Sequence, residues 1–242
     1  MDELRKRLVI VPAFNEESNI GHVVDEILGA GLGLEVVVID DGSHDRTGEI
    51  ARAHGARVIT LPFNLGIGGA VQTGLKFAHR HQYDVAIQID GDGQHLPSEI
   101  PLLLAPLQRG EADACIGSRY LGARHYDTPF MRRLGMLVFS AVNSLLIGQR
   151  ITDNTSGFRA YNRRAIAFLS AHYPSDYPEP ETVVMLGRNG FRLHEVAVKM
   201  RQRRAGESSI NSGRAIYYMV KVLLAIIVDV FKTYPKIGVS AK

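Results

Sequence analysis

Val85-Ala86-Ile87-Gln88-Ile89 runs directly into Asp90-Gly91-Asp92, so an apolar segment ends in two carboxylates two residues apart. A short apolar run predicts a buried strand, and the two aspartates then follow it in a loop. Open α/β sheets bind their ligands at the carboxyl ends of the strands. Because like charges at this spacing repel, such a pair usually holds a hard divalent cation, which prefers oxygen ligands. The segment therefore predicts an α/β sheet with a metal-bridged diphosphate at its edge.

The same layout occurs upstream, where Val36-Val37-Val38-Ile39 leads into Asp40-Asp41-Gly42-Ser43-His44-Asp45. Strand-like and helix-like stretches alternate on both sides of this second acidic strand end. Predicted strands cover residues 8–11, 35–40, 57–61, 85–89 and 114–117, and predicted helices cover residues 18–28, 46–54, 68–81 and 97–108. This rhythm predicts a mostly parallel sheet covered by helices, whose right-handed crossovers bring the acidic loops to one edge.

The pattern changes after Ser118. Residues 131–147 predict a mostly apolar helix, residues 153–161 a loop of small and polar residues, and residues 192–198 a late strand. Two prolines in residues 175–181 remove backbone donors and restrict the residues before them, so this segment is predicted to be a loop that leads into a helix at Glu181.

Length and composition favour one domain with an appendage. The chain has 242 residues, 45% of them hydrophobic, which is enough for one substantial core. We expect a domain over residues 1–212 and an amphipathic helix and tail over residues 213–242. The single cysteine, Cys115, lies in an apolar stretch and is predicted to be a buried thiol in a reducing compartment. Residues 1–7 are charged and do not resemble a secretory signal, so we expect a cytoplasmic protein.

Residues 214–232 predict an amphipathic helix. On a helical wheel, one narrow face holds Arg214, Lys221, Ala225, Asp229 and Lys232, and the remaining positions are almost all apolar. Lys221 and Asp229 interrupt the apolar run too early for a spanning helix, which needs about 20 apolar residues. The helix is therefore expected to lie on a bilayer interface, on a partner subunit or on the protein's own core, and the sequence leaves all three open.

The charge is modest overall but clustered. The formal net charge is +3, and Lys199, Arg201, Arg203 and Arg204 lie close together. Nucleic acid is not expected as a partner, because the chain lacks interleaved aromatic residues, a recognition-helix pattern and a zinc pattern. Phosphates of a small ligand or lipid headgroups suit the cluster better.

Four local motifs each follow a predicted strand: Pro12-Ala13-Phe14-Asn15-Glu16, Asp40 to Thr47, Asn64 to Ala70, and Asp90 to His95. In this combination they resemble the family 2 glycosyltransferases of GT-A fold, a Rossmann-like α/β fold. Asp153-Asn154-Thr155-Ser156-Gly157-Phe158-Arg159 narrows the resemblance to the polyprenyl-phosphate branch, which is similar to dolichol-phosphate mannosyltransferases. The resemblance extends from about Leu8 to Ser208.

The resemblance implies a site for a nucleotide sugar, formed by Pro12, Ala13, Glu16, Asp41, Gly68, Asp90, Gln94 and Arg204. Asp41 would accept a hydrogen bond from the base and Glu16 from the ribose, whereas a turn aspartate and a first-turn helix glutamate are the structural alternatives. Asp90 and Asp92 match the family's motif for Mg²⁺ or Mn²⁺, which ties the diphosphate to the protein.

The resemblance also implies the catalytic and acceptor residues. Asp153 stands at the proposed catalytic position, and it would orient rather than deprotonate an acceptor that is already anionic. Arg119, Arg132 and Arg133 would receive the acceptor phosphate, with Arg119 also assigned to catalysis; a turn aspartate and surface arginines are the alternatives. Arg204 begins a loop in which Ser209 replaces the family's usual lysine, a loss for which Arg201 or Arg203 would compensate.

The implied activity is an inverting, metal-dependent transfer of a sugar from a UDP- or GDP-sugar to a polyprenyl phosphate at the cytoplasmic face of the membrane. Relatives often continue into spanning helices, whereas this sequence ends at Lys242, so we expect peripheral membrane contact. The C-terminal helix would serve that contact, a second copy of the chain or a membrane-protein partner.

Three alternatives remain. One is transfer to a polysaccharide or a soluble acceptor on the same fold. Another is an NAD-dependent oxidoreductase, suggested by Gly66-Ile67-Gly68-Gly69 but opposed by Val71 at the position of the third glycine. A third is a non-enzymatic regulatory subunit, which the intact Asp90, Asp92 and Asp153 argue against.

Overall fold

The computed structural model of the chain describes residues 6–121, 140, 142–201, 221 and 224. These residues form seven strands: β1 (Arg7–Ala13), β2 (Glu35–Asp40), β3 (Arg57–Thr60), β4 (Val85–Gln88), β5 (Ala114–Ser118), β6 (Arg159–Asn162) and β7 (Leu193–Ala197). The helices are α1 (Ile20–Gly29), α2 (Thr47–Ala53), α3 (Gly66–Arg80), α4 (Ile100–Gln108), α5 (Arg163–His172) and α6 (Pro178–Arg188). A 3₁₀ turn, Pro97–Glu99, precedes α4, and residues 142–147 are helical.

The strands form one sheet in the order β3-β2-β1-β4-β6-β5-β7. Only β6 among these strands runs antiparallel to its neighbours, β4 and β5. The predicted α/β architecture with a mostly parallel sheet is confirmed. In the register of the sheet, Ala13 lies beside Asp40, and Ile10 lies beside Gln88. The loops that follow β1, β2 and β4 therefore meet at one edge.

Both faces of the central strands β1, β2 and β4 are buried, which explains why these strands are nearly continuous apolar runs rather than alternating ones. In β1, Val9 and Val11 belong to the core on one face, and Leu8 and Ile10 belong to the core on the other. Helices α1 and α4 cover the first face, and α3 and α5 cover the second. The thiol of Cys115 is buried in the first core, as predicted, and burial raises its pKa to about 12.

The structure corrects two predictions in the second half. The loop predicted over residues 153–161 is wrong at its end, because residues 159–161 belong to strand β6, which is buried between β4 and β5. Helix α6 begins at Pro178 rather than at Glu181. Proline is well tolerated in the first turn of a helix, because the N–H groups there have no partner within the helix.

Several predictions fall largely outside the described residues. The predicted boundary at residues 212–213 lies there, as do most of the predicted helices over 131–147 and 214–232, although Lys221 and Leu224 are helical. Within the part of the chain that the structure describes, no helix is both long enough and apolar enough to cross a membrane.

Candidate active site

A cleft of about 380 Å³ opens where the loops after β1, β2 and β4 meet. Six residues predicted for the site line it: Pro12, Ala13, Glu16, Asp41, Asp90 and Asp92. Phe14, Asn64, Gly66, Ile67, Ala70, Gly91 and Glu179 complete the lining. The topology thus brings together side chains that are far apart in the sequence, up to 167 positions between Pro12 and Glu179. The cleft lies where ligands of open α/β sheets bind.

Asp41 and Glu16 connect the loops around the cleft. Asp41 is buried, and its Oδ1 accepts a hydrogen bond from the backbone N–H of Leu65 at 2.7 Å. Burial raises the pKa of Asp41, although that hydrogen bond opposes the effect. Glu16 accepts a hydrogen bond from Asn19 at 2.8 Å, and its backbone N–H donates to Thr47 at 2.8 Å. Both carboxylates therefore accept hydrogen bonds within the protein and also line the cleft.

Asp90 and Asp92, here called the acidic pair, lie together in the cleft. Withdrawal from water, followed by the charge of Asp92, raises the pKa of Asp90 to about 7. Asp92 accepts a hydrogen bond from the backbone of Gln94 at 3.1 Å. A Cβ atom at Gly157 would come within 2.6 Å of Oδ2 of Asp90, so glycine there leaves room for the carboxylate. The acidic pair is held close although its two charges repel.

His95 stabilises the loop of the acidic pair through a hydrogen bond to its backbone. Its Nδ1 accepts the backbone N–H of Asp90 at 3.1 Å, and its ring is stacked on Phe158 with centroids 5.0 Å apart. Burial lowers the pKa of His95 to about 4, so the ring is neutral at pH 7. The sequence motif contained His95, but its supporting role depends on Phe158, which lies 63 positions along the chain and was not foreseen.

Arg119 and Asp153 form a buried ion pair beside the acidic pair. Nε and Nη2 of Arg119 each donate to one oxygen of Asp153 at 2.8 Å, and the backbone N–H of Arg119 donates at 3.1 Å. Thr155 adds its backbone N–H and its hydroxyl, both at 3.3 Å. Burial alone would raise the pKa of Asp153, but the hydrogen bonds and charge of Arg119 outweigh it and lower the pKa. Asp153 is therefore ionised, and five donors surround its two oxygens.

Other predicted residues lie elsewhere. Gly68 does not line the cleft; a Cβ atom there would come within 2.5 Å of the carbonyl oxygens of Pro174 and Ser175, so the glycine permits close packing of α3. Gln94 bonds through backbone and side chain to the backbone of Arg201. The guanidinium of Arg201, suggested as a compensating cation, instead binds Glu26 at 2.8 and 2.9 Å. Arg132, Arg133 and Arg204 lie outside the described residues.

Two charged residues of the site were not predicted. Glu179, in the first turn of α6, lines the cleft, and burial raises its pKa. Arg159 is fully buried and donates to the carbonyl oxygens of Ser156 and Asn154 at 2.8 and 3.0 Å, which fixes the loop that contains Asp153. The Pro178-Glu179-Pro180 sequence is a signal for a helix start, but nothing local in it places Glu179 in the cleft. No local signal marks Arg159 as buried.

The model of the family described as Glycosyl transferase family 2 matches residues 8–169, which contain the acidic pair, Arg119 and Asp153. The chain belongs to this family. It is a glycosyltransferase, and the prediction made from the four strand-end motifs is confirmed.

Relatives with curated names support the predicted branch of the family. The polyprenol monophosphomannose synthase of Mycolicibacterium smegmatis is 32% identical over 228 residues, which cover 90% of this chain and 86% of that protein. A UDP-N-acetylglucosamine–dolichyl-phosphate N-acetylglucosaminyltransferase of Methanococcus voltae is 29% identical over 238 residues, which cover 89% and 94%. The chain is thus similar to family 2 enzymes of the polyprenyl-phosphate branch along most of its length.

Solved structures confirm the fold class. Glucosyl-3-phosphoglycerate synthase from Mycobacterium tuberculosis, crystallised with Mn²⁺, UDP and phosphoglyceric acid, aligns with a TM-score of 0.70 at 24% identity. The alignment covers 97% of this chain and 82% of that one. At this level of identity the likeness concerns the fold.

Proposed function

We propose that this family 2 glycosyltransferase moves a sugar, with inversion, from a UDP- or GDP-sugar to the phosphate of a polyprenyl phosphate with the help of a divalent cation. The names of the relatives from Mycolicibacterium smegmatis and Methanococcus voltae support the polyprenyl phosphate acceptor. The hydrogen bonding of Asp153 supports it independently, and this is the observation on which the proposal mainly rests.

Asp153 is the acidic residue to which the sequence assigned catalysis, yet it is poorly suited to remove a proton. Arg119 and Thr155 donate five hydrogen bonds to its two oxygens, and its pKa is lowered. A hydroxyl acceptor has a high pKa and needs a general base. A phosphate monoester, whose second pKa is about 6, is already an anion at pH 7. Asp153 therefore fits an acceptor that arrives deprotonated, with Asp153 orienting Arg119.

Arg119 is not among the residues that line the cleft, but it lies close enough to the acidic pair for its charge to lower the pKa of Asp90. A guanidinium suits the recognition of phosphate oxygens, and its orientation by Asp153 keeps it in place before the acceptor binds. We assign to Arg119 the attraction of the acceptor phosphate toward the sugar. The acceptor phosphate would also be contacted by Arg132 and Arg133. The membrane, at its inner face, would be contacted by residues 213–242.

The acidic pair suits a divalent cation. Both side chains supply carboxylate oxygens, the ligands that Mg²⁺ and Mn²⁺ prefer. The raised pKa of Asp90 reflects its burial first and the charge of Asp92 second, and a cation would relieve that repulsion. Such an ion, when bound, neutralises charge on a departing nucleoside diphosphate. Asp90 and Asp92 would hold it, and Gly157 leaves room beside Asp90.

The remaining lining of the cleft suits a nucleoside. Pro12 and Ala13 offer an apolar wall, Glu16 a carboxylate for ribose hydroxyls, and Asp41 a buried acceptor for a base N–H. Gln94 and Arg204 remain proposed contacts of the diphosphate or the sugar.

Solvent extraction tests this proposal. The protein is incubated with radiolabelled UDP- or GDP-sugars, Mn²⁺ and a polyprenyl phosphate in detergent, and the mixture is extracted with organic solvent. We expect label in the organic phase only when protein, polyprenyl phosphate and Mn²⁺ are all present. A polyprenyl alcohol, which lacks the phosphate, is the matched control and should remain unlabelled.

Label that moves into a new water-soluble product, with none in the organic phase, would contradict the lipid acceptor and favour the alternative of a soluble acceptor. Equal labelling of the polyprenyl alcohol would contradict the argument from Asp153, since a hydroxyl acceptor needs a general base and Asp153 is poorly suited to act as one.

A further inference from the structure

Glu195 on β7 accepts three hydrogen bonds from the two residues at the beginning of the Asp153 loop. Its Oε2 accepts the backbone N–H of Thr152 at 2.8 Å. Its Oε1 accepts the Thr152 hydroxyl at 2.9 Å and the backbone N–H of Asp153 at 2.6 Å. No motif in the sequence pointed to Glu195, because β7 pairs with β5 across a separation of about 80 residues.

These bonds connect β7 to the Arg119–Asp153 pair. Strand β5 lies next to β7, with Ile116 beside Glu195, and it ends at Ser118, immediately before Arg119. The hydroxyls of Ser118 and Thr152 are 3.1 Å apart. The segment before Asp153 is thus fixed to β5 by a hydroxyl contact and to β7 by a carboxylate.

A carboxylate at this position is chemically specific. Its oxygens only accept hydrogen bonds, and three donors converge on them. The negative charge of Glu195 is unfavourable so close to that of Asp153. The three hydrogen-bond donors therefore explain why a carboxylate stands here. Glutamine has the same shape but would direct an N–H group toward one of the backbone N–H groups, and that donor would lose its acceptor.

We infer that Glu195 is a positioning residue of the transfer reaction, which holds the backbone of Thr152 and Asp153 so that Asp153 can fix the guanidinium of Arg119 toward the acceptor. The inference rests on the proposed function, because it takes Arg119 as the group that attracts the acceptor. Displacement of a reacting group by about 1 Å can lower the rate by up to about 100-fold, so a small shift of this backbone is enough to matter.

Steady-state kinetics of Glu195→Gln test the inference. We expect kcat to fall about tenfold or more and the KM for the nucleotide sugar to change less than about twofold, since the cleft around Asp41 is untouched. Glu35→Gln is the matched control: Glu35 is also on a parallel strand, and it accepts the hydroxyl of Tyr83 at 2.7 Å outside the cleft lining. The control should leave kcat unchanged, and a Glu195→Gln enzyme with kcat within twofold of the parent would overturn the inference.

A second readout does not depend on activity. The Nε–H of Arg119 donates to Asp153, so its NMR signal, assigned by its loss in Arg119→Lys, should exchange slowly with water in the parent and faster in Glu195→Gln. Unchanged exchange would contradict the inference. If Glu195→Gln does not fold, Thr152→Val is used instead; it removes the hydroxyl contacts with Glu195 and Ser118 and keeps the backbone bonds. It should lower kcat about threefold and speed the same exchange, and no change in either would overturn the inference.

These outcomes separate the inference from the proposed function. Whether the parent labels a polyprenyl phosphate decides the proposed acceptor. The ratio of variant to parent, measured on the acceptor that the parent uses, together with the exchange of the Arg119 Nε–H, decides the role of Glu195.

Discussion

Two carboxylates of the site, Asp90 and Asp153, lie in one fold and have opposite electrostatic surroundings. Asp90 follows a parallel strand of the first half and faces another carboxylate, Asp92, and its pKa is raised to about 7. Asp153 precedes the antiparallel strand of the second half and faces Arg119, and its pKa is lowered. The acidic pair concentrates negative charge in the cleft, whereas the charge of Asp153 is balanced by Arg119 within the fold.

The opposite surroundings of Asp90 and Asp153 suit different roles, ligand binding for Asp90 and the positioning of a neighbouring side chain for Asp153. A carboxylate kept beside another carboxylate lowers stability unless a ligand neutralises the pair, so the cleft suits a cation and the diphosphate it carries. A carboxylate with a bidentate arginine is neutralised within the fold and can hold that arginine in one orientation. Asp113, outside the cleft lining, is likewise neutralised within the fold. It accepts hydrogen bonds from Asn162, Arg164 and Arg192.

The largest effect is expected from Asp92→Asn, which removes half of the charge of the acidic pair. We expect kcat/KM to fall on the order of 10³-fold, because several kcal/mol of charge stabilisation depend on the cation. Stability should be unchanged or slightly higher, since a repulsive charge is lost. Steady-state kinetics measure kcat/KM and urea unfolding measures stability. Asp176→Asn, at an exposed residue, is the control. Retained activity would remove the acidic pair from the chemistry.

Arg119→Ala should lower stability as well as activity, unlike Asp92→Asn, which should lower activity alone. It leaves Asp153 buried without its bidentate partner, and loss of one member of a buried ion pair costs about 3–5 kcal/mol. Urea unfolding measures the cost. Asp153→Asn in the Arg119→Ala protein should restore part of the lost stability. Additive effects of the two substitutions would show that the pair does not interact as the structure indicates.

Asp113→Asn should lower stability by about 2 kcal/mol without lowering kcat. Burial raises the pKa of Asp113, but the Arg192 backbone, Asn162 and the two arginines outweigh it and lower the pKa. The stabilisation from this carboxylate is therefore complete above its unfolded pKa of about 3.9 and is lost as the pH falls through its lower folded value. The difference in unfolding free energy between parent and variant should shrink between pH 7 and pH 3. A difference that grows on acidification would contradict this sign.

The smallest effect is expected from Gly68→Ala. Its new methyl group would press against the carbonyl oxygens of Pro174 and Ser175, at a cost of about 1–2 kcal/mol in stability. The affinity of the folded variant for UDP or GDP, measured by calorimetry, should match that of the parent. A loss of affinity beyond tenfold would return Gly68 to the nucleotide site, where the sequence motif had assigned it.

The first half of the fold was predictable from the sequence because its signals are local. Strand β2 was predicted with the bounds Glu35–Asp40 that the structure shows, since a β-branched run ends there in acidic turn residues. Asp41, Asp90 and Asp92 were placed in one site for the same reason. Each follows a parallel strand, and parallel strands end at one edge.

The second half was less predictable because its stability comes from distant partners. Strand β6 has the sequence Arg159-Ala160-Tyr161-Asn162, whose arginine suggests an exposed loop until the carbonyl oxygens that bind it are known. Glu195 and Glu179 reach the site only through the order of the strands and the position of α6. No spacing within the sequence encodes these contacts.

Anomalous diffraction from crystals grown with Mn²⁺ and UDP or GDP tests the central contrast most directly. We predict a manganese peak at roughly 2.1 Å from carboxylate oxygens of the acidic pair and in contact with the diphosphate, with Asp153 still bound to Arg119. A bound diphosphate with no manganese at Asp90 and Asp92, or a manganese ion bound to Asp153 in place of Arg119, would contradict the account.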